Sequence, residues 1–155
     1  MSLQVGDTAP DFELPSHQDR DKKVKLSDLR GQNVVIAFYP FDWTPVCATQ
    51  MPQYEADQEK FAKHDAVVLG ISVDSAPSHA AWAKELGGIS FDLLADYHPK
   101  GEVCKAYGTL REEGGFSNRD VFIVDKECKI VYIDRHELLD VPKNEELFAV
   151  LESLR

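Results

Sequence analysis

The sequence has few cysteines and pairs none of them. Three occur in 155 residues, Cys47, Cys104 and Cys128, with no CxxC motif and no ligand-like spacing to the five histidines. That excludes a dense disulfide framework and a zinc-finger type of site. Long apolar runs are also missing: the longest, near residues 34–40 and 66–73, fall far short of the about 20 residues a membrane-spanning helix needs. Positive charge is scarce as well. Lys and Arg number 17 against 27 Asp and Glu, and the net charge of −10 repels nucleic-acid phosphates and anionic lipid. The start, MSLQVGDTAP, has no basic region followed by an apolar one, so no secretory signal is visible and a cytoplasmic location is expected.

What is present suits one globular domain over residues 1–155, with ordinary contents of 43% hydrophobic and 28% charged residues. After TAPDFELPS and a polar turn, VKLSDLRGQN reads as a short strand, a helical turn and a turn at glycine. VVIAFYP and HDAVVLGISV are nearly continuous apolar, β-branched runs, as expected of strands covered on both faces. Between them, one helix from about Pro45 to His64 makes the crossover, with Tyr54 and Phe61 two turns apart. SAPSHAAWAKELGG is a helix with serine caps and a glycine stop, and Trp82 and Leu86 on its buried side. FDLLAD reads as a short strand, PKGEVCKAYG as a short helix, and DVFIVDKECKIVYID as a hairpin turning at Asp125 to Cys128. A last helix shows Leu147, Phe148, Leu151 and Leu154 on one face. The predicted architecture is α/β: a mixed central sheet with helices on both faces, in the order of a thioredoxin-like fold.

The stretch FYPFDWTPVCATQ sets a single cysteine where a buried strand gives way to a helix. If the helix starts near Thr44 or Pro45, Cys47 lies in its first turn, where unpaired backbone N–H groups favour an anion. Lowering a thiol pKa from about 8.5 to about 6.5 raises the thiolate fraction at pH 7 about 25-fold. Intrinsic attacking power falls about 8-fold over the same change, leaving a net gain of only about threefold. Ionisation alone therefore does not make a fast catalyst; other groups must orient the second reactant and stabilise moving charge. Thr44, three residues before Cys47, can place its hydroxyl on the same helical face.

The pattern Pro40-x-x-x-Thr44-x-x-Cys47 in PFDWTPVC resembles the active-site signature of the peroxiredoxins, thiol peroxidases of the thioredoxin fold. APDFELP, VVIAFYP, ISVDSAPSHAAWAKEL, AYG and NRDVFIVD extend the likeness through most of the chain. The resemblance implies that Cys47 is the peroxidatic nucleophile, Pro40 a shield against water, Thr44 the hydrogen-bonding partner of thiolate and peroxide, and Arg119 the guanidinium that completes the site. Arg119 also has an independent rationale, since it precedes a buried strand, is always charged and offers a rigid fork of donors. Also implied are hydrogen peroxide or an alkyl hydroperoxide as substrate, and a sulfenic acid on the enzyme. A thiol reductant would follow, either thioredoxin-like or of low molecular weight. The resemblance further implies a homodimer and no metal, flavin or nucleotide cofactor.

Three departures narrow the resemblance. A glutamate is common three positions after the nucleophile, whereas this chain has Gln50, so Arg119 is expected to be held less firmly. Bacterioferritin-comigratory-like members often carry a resolving cysteine where this chain has Pro52, and typical two-cysteine members carry theirs in a C-terminal extension, while this sequence ends at Arg155 with none. The match is closest to one-cysteine, AhpE-like and bacterioferritin-comigratory-like members. A thiol–disulfide oxidoreductase is disfavoured because Gln50 stands where the second cysteine of a CxxC belongs. The alternative of another class is a non-catalytic peroxide-sensing thiol module or chaperone-like oligomer on the same fold.

Elsewhere, Cys104 reads as a packing residue and Cys128 as an exposed thiol in a hairpin turn at a position suited to positive φ. Phe41 and Trp43, flanking the motif, read as a subunit contact. None of the histidines reads as a base for Cys47.

Overall fold

The computed structural model describes residues 3–154. Near the start, β1 (Glu13–Pro15) and β2 (Lys23–Lys25) form an antiparallel ribbon, and a 3-10 turn follows at Leu26–Leu29. The first β-branched run forms β3 (Asn33–Phe38), buried at every residue. Next come α1 (Pro45–Ala56), α2 (Gln58–Lys63) and β4 (Ala66–Ser72), which lies parallel to β3. Helix α3 (Ala76–Glu85) leads to β5 (Asp92–Ala95), parallel to β4, and then to the short α4 (Glu102–Ala106). A small ribbon, β6 (Leu110–Arg111) and β7 (Phe116–Ser117), precedes the hairpin of β8 (Arg119–Val124) and β9 (Ile130–His136), and α5 (Asn144–Ser153) ends the fold.

The central sheet has the order β5-β4-β3-β8-β9, with β8 antiparallel to β3. It is the mixed sheet that the pattern of runs predicts. The pleat divides the core between its faces: Val34, Ile36 and Phe38 join Tyr107, Phe122, Cys104 and Cys128 on one side. Val35, Ala37 and Tyr39 join Cys47, Met51, Trp82 and Leu151 on the other.

Helix α1 lies over the second face through Cys47, Gln50, Met51 and Tyr54, a stripe at three- and four-residue spacing, all buried. Gly70 in β4 lets it come close. A Cβ there would lie 2.8 Å from Leu93 Cδ2 and 3.4 Å from Met51 Sδ, one turn beyond Cys47.

Three expectations are corrected. The crossover is two helices, because the chain turns at Asp57, whose N–H bonds back to the Tyr54 carbonyl at 3.2 Å. Asn144 of α5 holds that turn by donating to Asp57 Oδ2 at 2.8 Å and to the Gln53 carbonyl at 3.1 Å. Leu154 leaves the buried face of the last helix and is exposed, since its N–H closes a tighter turn onto the Leu151 carbonyl. Cys128 has the positive φ of its turn, 64°, but it is buried. The N-terminal segment covers it: Ala9 N donates to the Cys128 carbonyl at 2.9 Å. His79 lies near the start of α3, as the sequence indicates, and is fully buried there. Among the described residues no helix is long and apolar enough to cross a membrane.

Candidate active site

Strand β3 runs into a loop, Tyr39 to Thr44, and α1 starts directly after it with Pro45, where the missing N–H has no helical acceptor to lose. Cys47 is the third residue of α1 and fully buried. Because β8 is antiparallel to β3 and pairs Val121 with Ala37, continuing that register brings Arg119 level with Tyr39, at the end of the sheet where the loop begins. Alternation then sends its side chain to the face that holds α1, as it does for Val121 and Ile123. Residues 72 apart in sequence thus meet: Arg119 Nη1 lies 3.2 Å from Cys47 Sγ.

Arg119 is itself only 2% exposed. Its Nη1 also donates to Gln50 Oε1 at 2.6 Å, and its Nε donates to the Leu138 carbonyl at 2.9 Å. Gln50 is oriented in turn, since its Nε2 donates to Tyr54 Oη at 2.9 Å. Burial pushes the Tyr54 hydroxyl well above the usual tyrosine range, against the opposing effect of Gln50, so it stays a neutral partner. Among the described residues no carboxylate forms an ion pair with Arg119. The buried, permanently charged guanidinium is held by Gln50, the Leu138 carbonyl and the Cys47 sulfur. The neutral Gln50 holds the guanidinium without neutralising it.

Of the four residues singled out from sequence, the structure brings Cys47 and Arg119 into direct contact. Thr44 is the N-terminal cap residue of α1, half-buried, and its hydroxyl donates to the Phe41 carbonyl at 3.0 Å, which leaves oxygen lone pairs for another donor. Pro40 is buried within the loop. Tyr54 and the Leu138 carbonyl are partners that sequence reasoning missed. A buried-stripe position four residues beyond Gln50 could have pointed to Tyr54; nothing local marks Leu138. A surface cleft of about 830 Å3 is lined by Gln53, Asp57, Pro142 and Asn144 and does not include Cys47. A reactant of two oxygen atoms needs no such volume.

Cys47 is thus a buried thiol held against a guanidinium at the start of a helix on a mixed sheet. The family model described as "AhpC/TSA family" matches residues 5–133. The chain belongs to this family of peroxiredoxins. Curated relatives include alkyl hydroperoxide reductase E of Mycobacterium tuberculosis, 39% identical over 128 residues, covering 80% of each chain. Peroxiredoxin-2 of Mus musculus is 41% identical over 144 residues, 88% of this chain and 72% of that protein. Among solved structures, Enterococcus faecalis AhpC superposes with a TM-score of 0.90 at 29% identity, covering 99% of this chain and 93% of that one. The fold is that of thioredoxin-type peroxiredoxins, and as a peroxiredoxin the protein is a thiol peroxidase, an oxidoreductase acting on peroxides.

Proposed function

We propose that the protein reduces hydrogen peroxide and alkyl hydroperoxides through Cys47, with Arg119, Thr44 and Pro40 completing the site. The 3.2 Å contact between Arg119 Nη1 and Cys47 Sγ carries this reading. The thiolate attacks one peroxide oxygen, the O–O bond breaks, and the leaving oxygen takes a proton and departs as water or alcohol. Sulfur is oxidised by two electrons to a sulfenic acid. Arg119 stabilises the charge spreading from sulfur to the departing oxygen, so it binds the transition state more strongly than the ground state. Thr44 accepts from the peroxide hydroxyl and holds the O–O axis in line, while Pro40 keeps water from the sulfur.

The sulfenic acid is then reduced from outside the chain. One thiol displaces water to form a mixed disulfide with Cys47, and a second thiol releases Cys47 by exchange. What supports this one-cysteine cycle is the sheet: Cys47 packs on one face, and Cys104 and Cys128 pack on the other, both buried. A disulfide needs Cα atoms within about 7 Å, which a sheet standing between the two thiols denies. A thioredoxin-like protein or a low-molecular-weight thiol serves as reductant. The exposed Phe41 and Trp43 beside the site, with Phe41 packed on Phe116 at 5.0 Å between centroids, suit the contact of a homodimer. Residues 1–155 are taken as one peroxiredoxin domain, working in the cytoplasm without a cofactor, metal or nucleic acid.

Stopped-flow peroxide consumption with excess dithiol tests this in the parent and in Cys47→Ser, Cys104→Ser and Cys128→Ser, followed by intact mass. Cys47→Ser should fall to background, and the other two should stay within about twofold of the parent. A parent rate in Cys47→Ser overturns the reading. A single oxidation that changes oligomer size without turnover favours the sensing module, and a disulfide lost in only one other variant replaces the one-cysteine cycle.

A further inference from the structure

The loop that carries Thr44 contains a charged residue the reaction does not use. Asp42 lies two positions before Thr44, and its side chain is 0% exposed, as is that of His79 beside it. The carboxylate accepts from Tyr39 Oη at 2.7 Å and from Ser78 Oγ at 2.9 Å, and lies 2.8 Å from His79 Nδ1. On the far side of the ring, Nε2 donates to the Leu94 carbonyl at 3.0 Å. Nδ1 also lies 3.2 Å from Tyr39 Oη, so polar partners hold the ring on both sides. The Asp42 N–H adds a fourth tie, to Asp74 Oδ2 at 2.8 Å, and Asp74 is held by Ser72 Oγ at 2.6 Å. One residue thus fastens the loop to the end of β4, to α3 and, through His79, to β5.

A buried polar pair is weak evidence for stability, because well-packed apolar residues of the same volume do as well. Its distinctive product is geometry. The backbone shows where that geometry is needed: Trp43, between Asp42 and Thr44, has φ 71°, the left-handed region that a bulky side chain enters only when its surroundings force it. Asp42 supplies the anchor on one side of this strained residue, and Thr44 caps α1 on the other. Cys47 and Arg119 are held separately, by the buried stripe of α1, by Gln50 and by the Leu138 carbonyl.

We infer that Asp42 and His79 are positioning residues that set Thr44 for the incoming peroxide, without acting on the sulfur. The inference rests on the reading of Thr44 given above. It separates two reactions of the same sulfur: peroxide needs an oriented Thr44, whereas alkylation by iodoacetamide needs only the thiolate.

Both rates can be measured in the parent, Asp42→Asn, Thr44→Val and the double variant, by stopped flow with hydrogen peroxide and by mass of the alkylated Cys47 peptide. Misplacement of a reacting group costs between about tenfold and a hundredfold, so Asp42→Asn should slow the peroxide reaction by that much without slowing alkylation. In the double variant it should add less than about twofold to the effect of Thr44→Val. The inference is overturned if both rates fall together, if neither falls, or if the two substitutions multiply fully. Should Asp42→Asn not fold, Ser78→Ala removes one donor from the same carboxylate and is judged by the same criteria at smaller amplitude. Thr44→Val with the parent peroxide rate overturns the site reading itself, a result distinct from a Thr44 effect that Asp42→Asn fails to share.

Discussion

The first turns of α1 and α4 are alike in sequence and burial and opposite in chemistry. One reads Pro45-Val46-Cys47 and the other Glu102-Val103-Cys104; in each the cysteine is the third helical residue and fully buried. At α4 the opening N–H groups are already taken, since Val103 N and Cys104 N donate to the two oxygens of Asp96 at 3.2 and 2.8 Å. Burial first, and then that carboxylate, push the Cys104 thiol far above the usual cysteine range. At α1 the Thr44 side chain makes no capping bond, and the charge facing the sulfur is the guanidinium of Arg119. Position in a helix and removal from water therefore do not make a thiol reactive. What differs between the two is the charged group beside the sulfur, a guanidinium at Cys47 and a carboxylate at Cys104.

The strongest way to break this contrast is to remove the cation from α1. Arg119→Met should lower the second-order rate constant with hydrogen peroxide by about 100- to 1000-fold, as deletion of one oriented donor does elsewhere. Stopped-flow kinetics that stay within about threefold of the parent would mean that the helix start alone suffices.

The α4 side is sharpened by alkaline unfolding. An acid whose folded pKa is raised contributes stability fully below its unfolded pKa, near 9 for a cysteine, and loses it as pH rises toward the folded value. Above that pH, Cys104 should cost about 1.4 kcal/mol per pH unit. Urea unfolding at several pH values should show a shallower decline for Cys104→Ala than for the parent, and equal slopes would contradict the assignment.

The smallest effect is expected of Asp96→Asn. Burial is the larger cause of the Cys104 shift, so removing the carboxylate should raise alkylation of native Cys104 by no more than about threefold. A much larger gain, read by peptide mass, would make the neighbouring charge and not burial the reason this thiol is silent.

Much of the frame was legible from local pattern. β3, β4 and the β8–β9 hairpin follow from runs of β-branched residues with turns between them, and α3 from a serine that caps it, Ser75 accepting from Ser78 N. The loop motif marked Cys47, Thr44 and Pro40 as a group. Where reading failed, a distant partner had intervened. Asn144 sets the break at Asp57 from 87 residues away, and the N-terminal segment closes over Cys128. The Asp42–His79 pair spans 37 residues, and neither member has a local sign of its partner.

The amino-acid sequence alone determined the alternation of strand and helix and put a lone cysteine at a helix start, because propensity, capping and turn chemistry act over a few neighbouring residues. The resemblance named Arg119 as the partner of Cys47, but local pattern does not bring a positive charge to one of two similarly placed thiols. That choice belongs to the register of β8 on β3, which carries Arg119 across 72 residues to Cys47, while the loop after β5 brings Asp96 to Cys104. Strand pairing is a long-range contact and a slip of one residue would turn Arg119 to the opposite face, so the contact between Arg119 and Cys47 forms only once the sheet has closed.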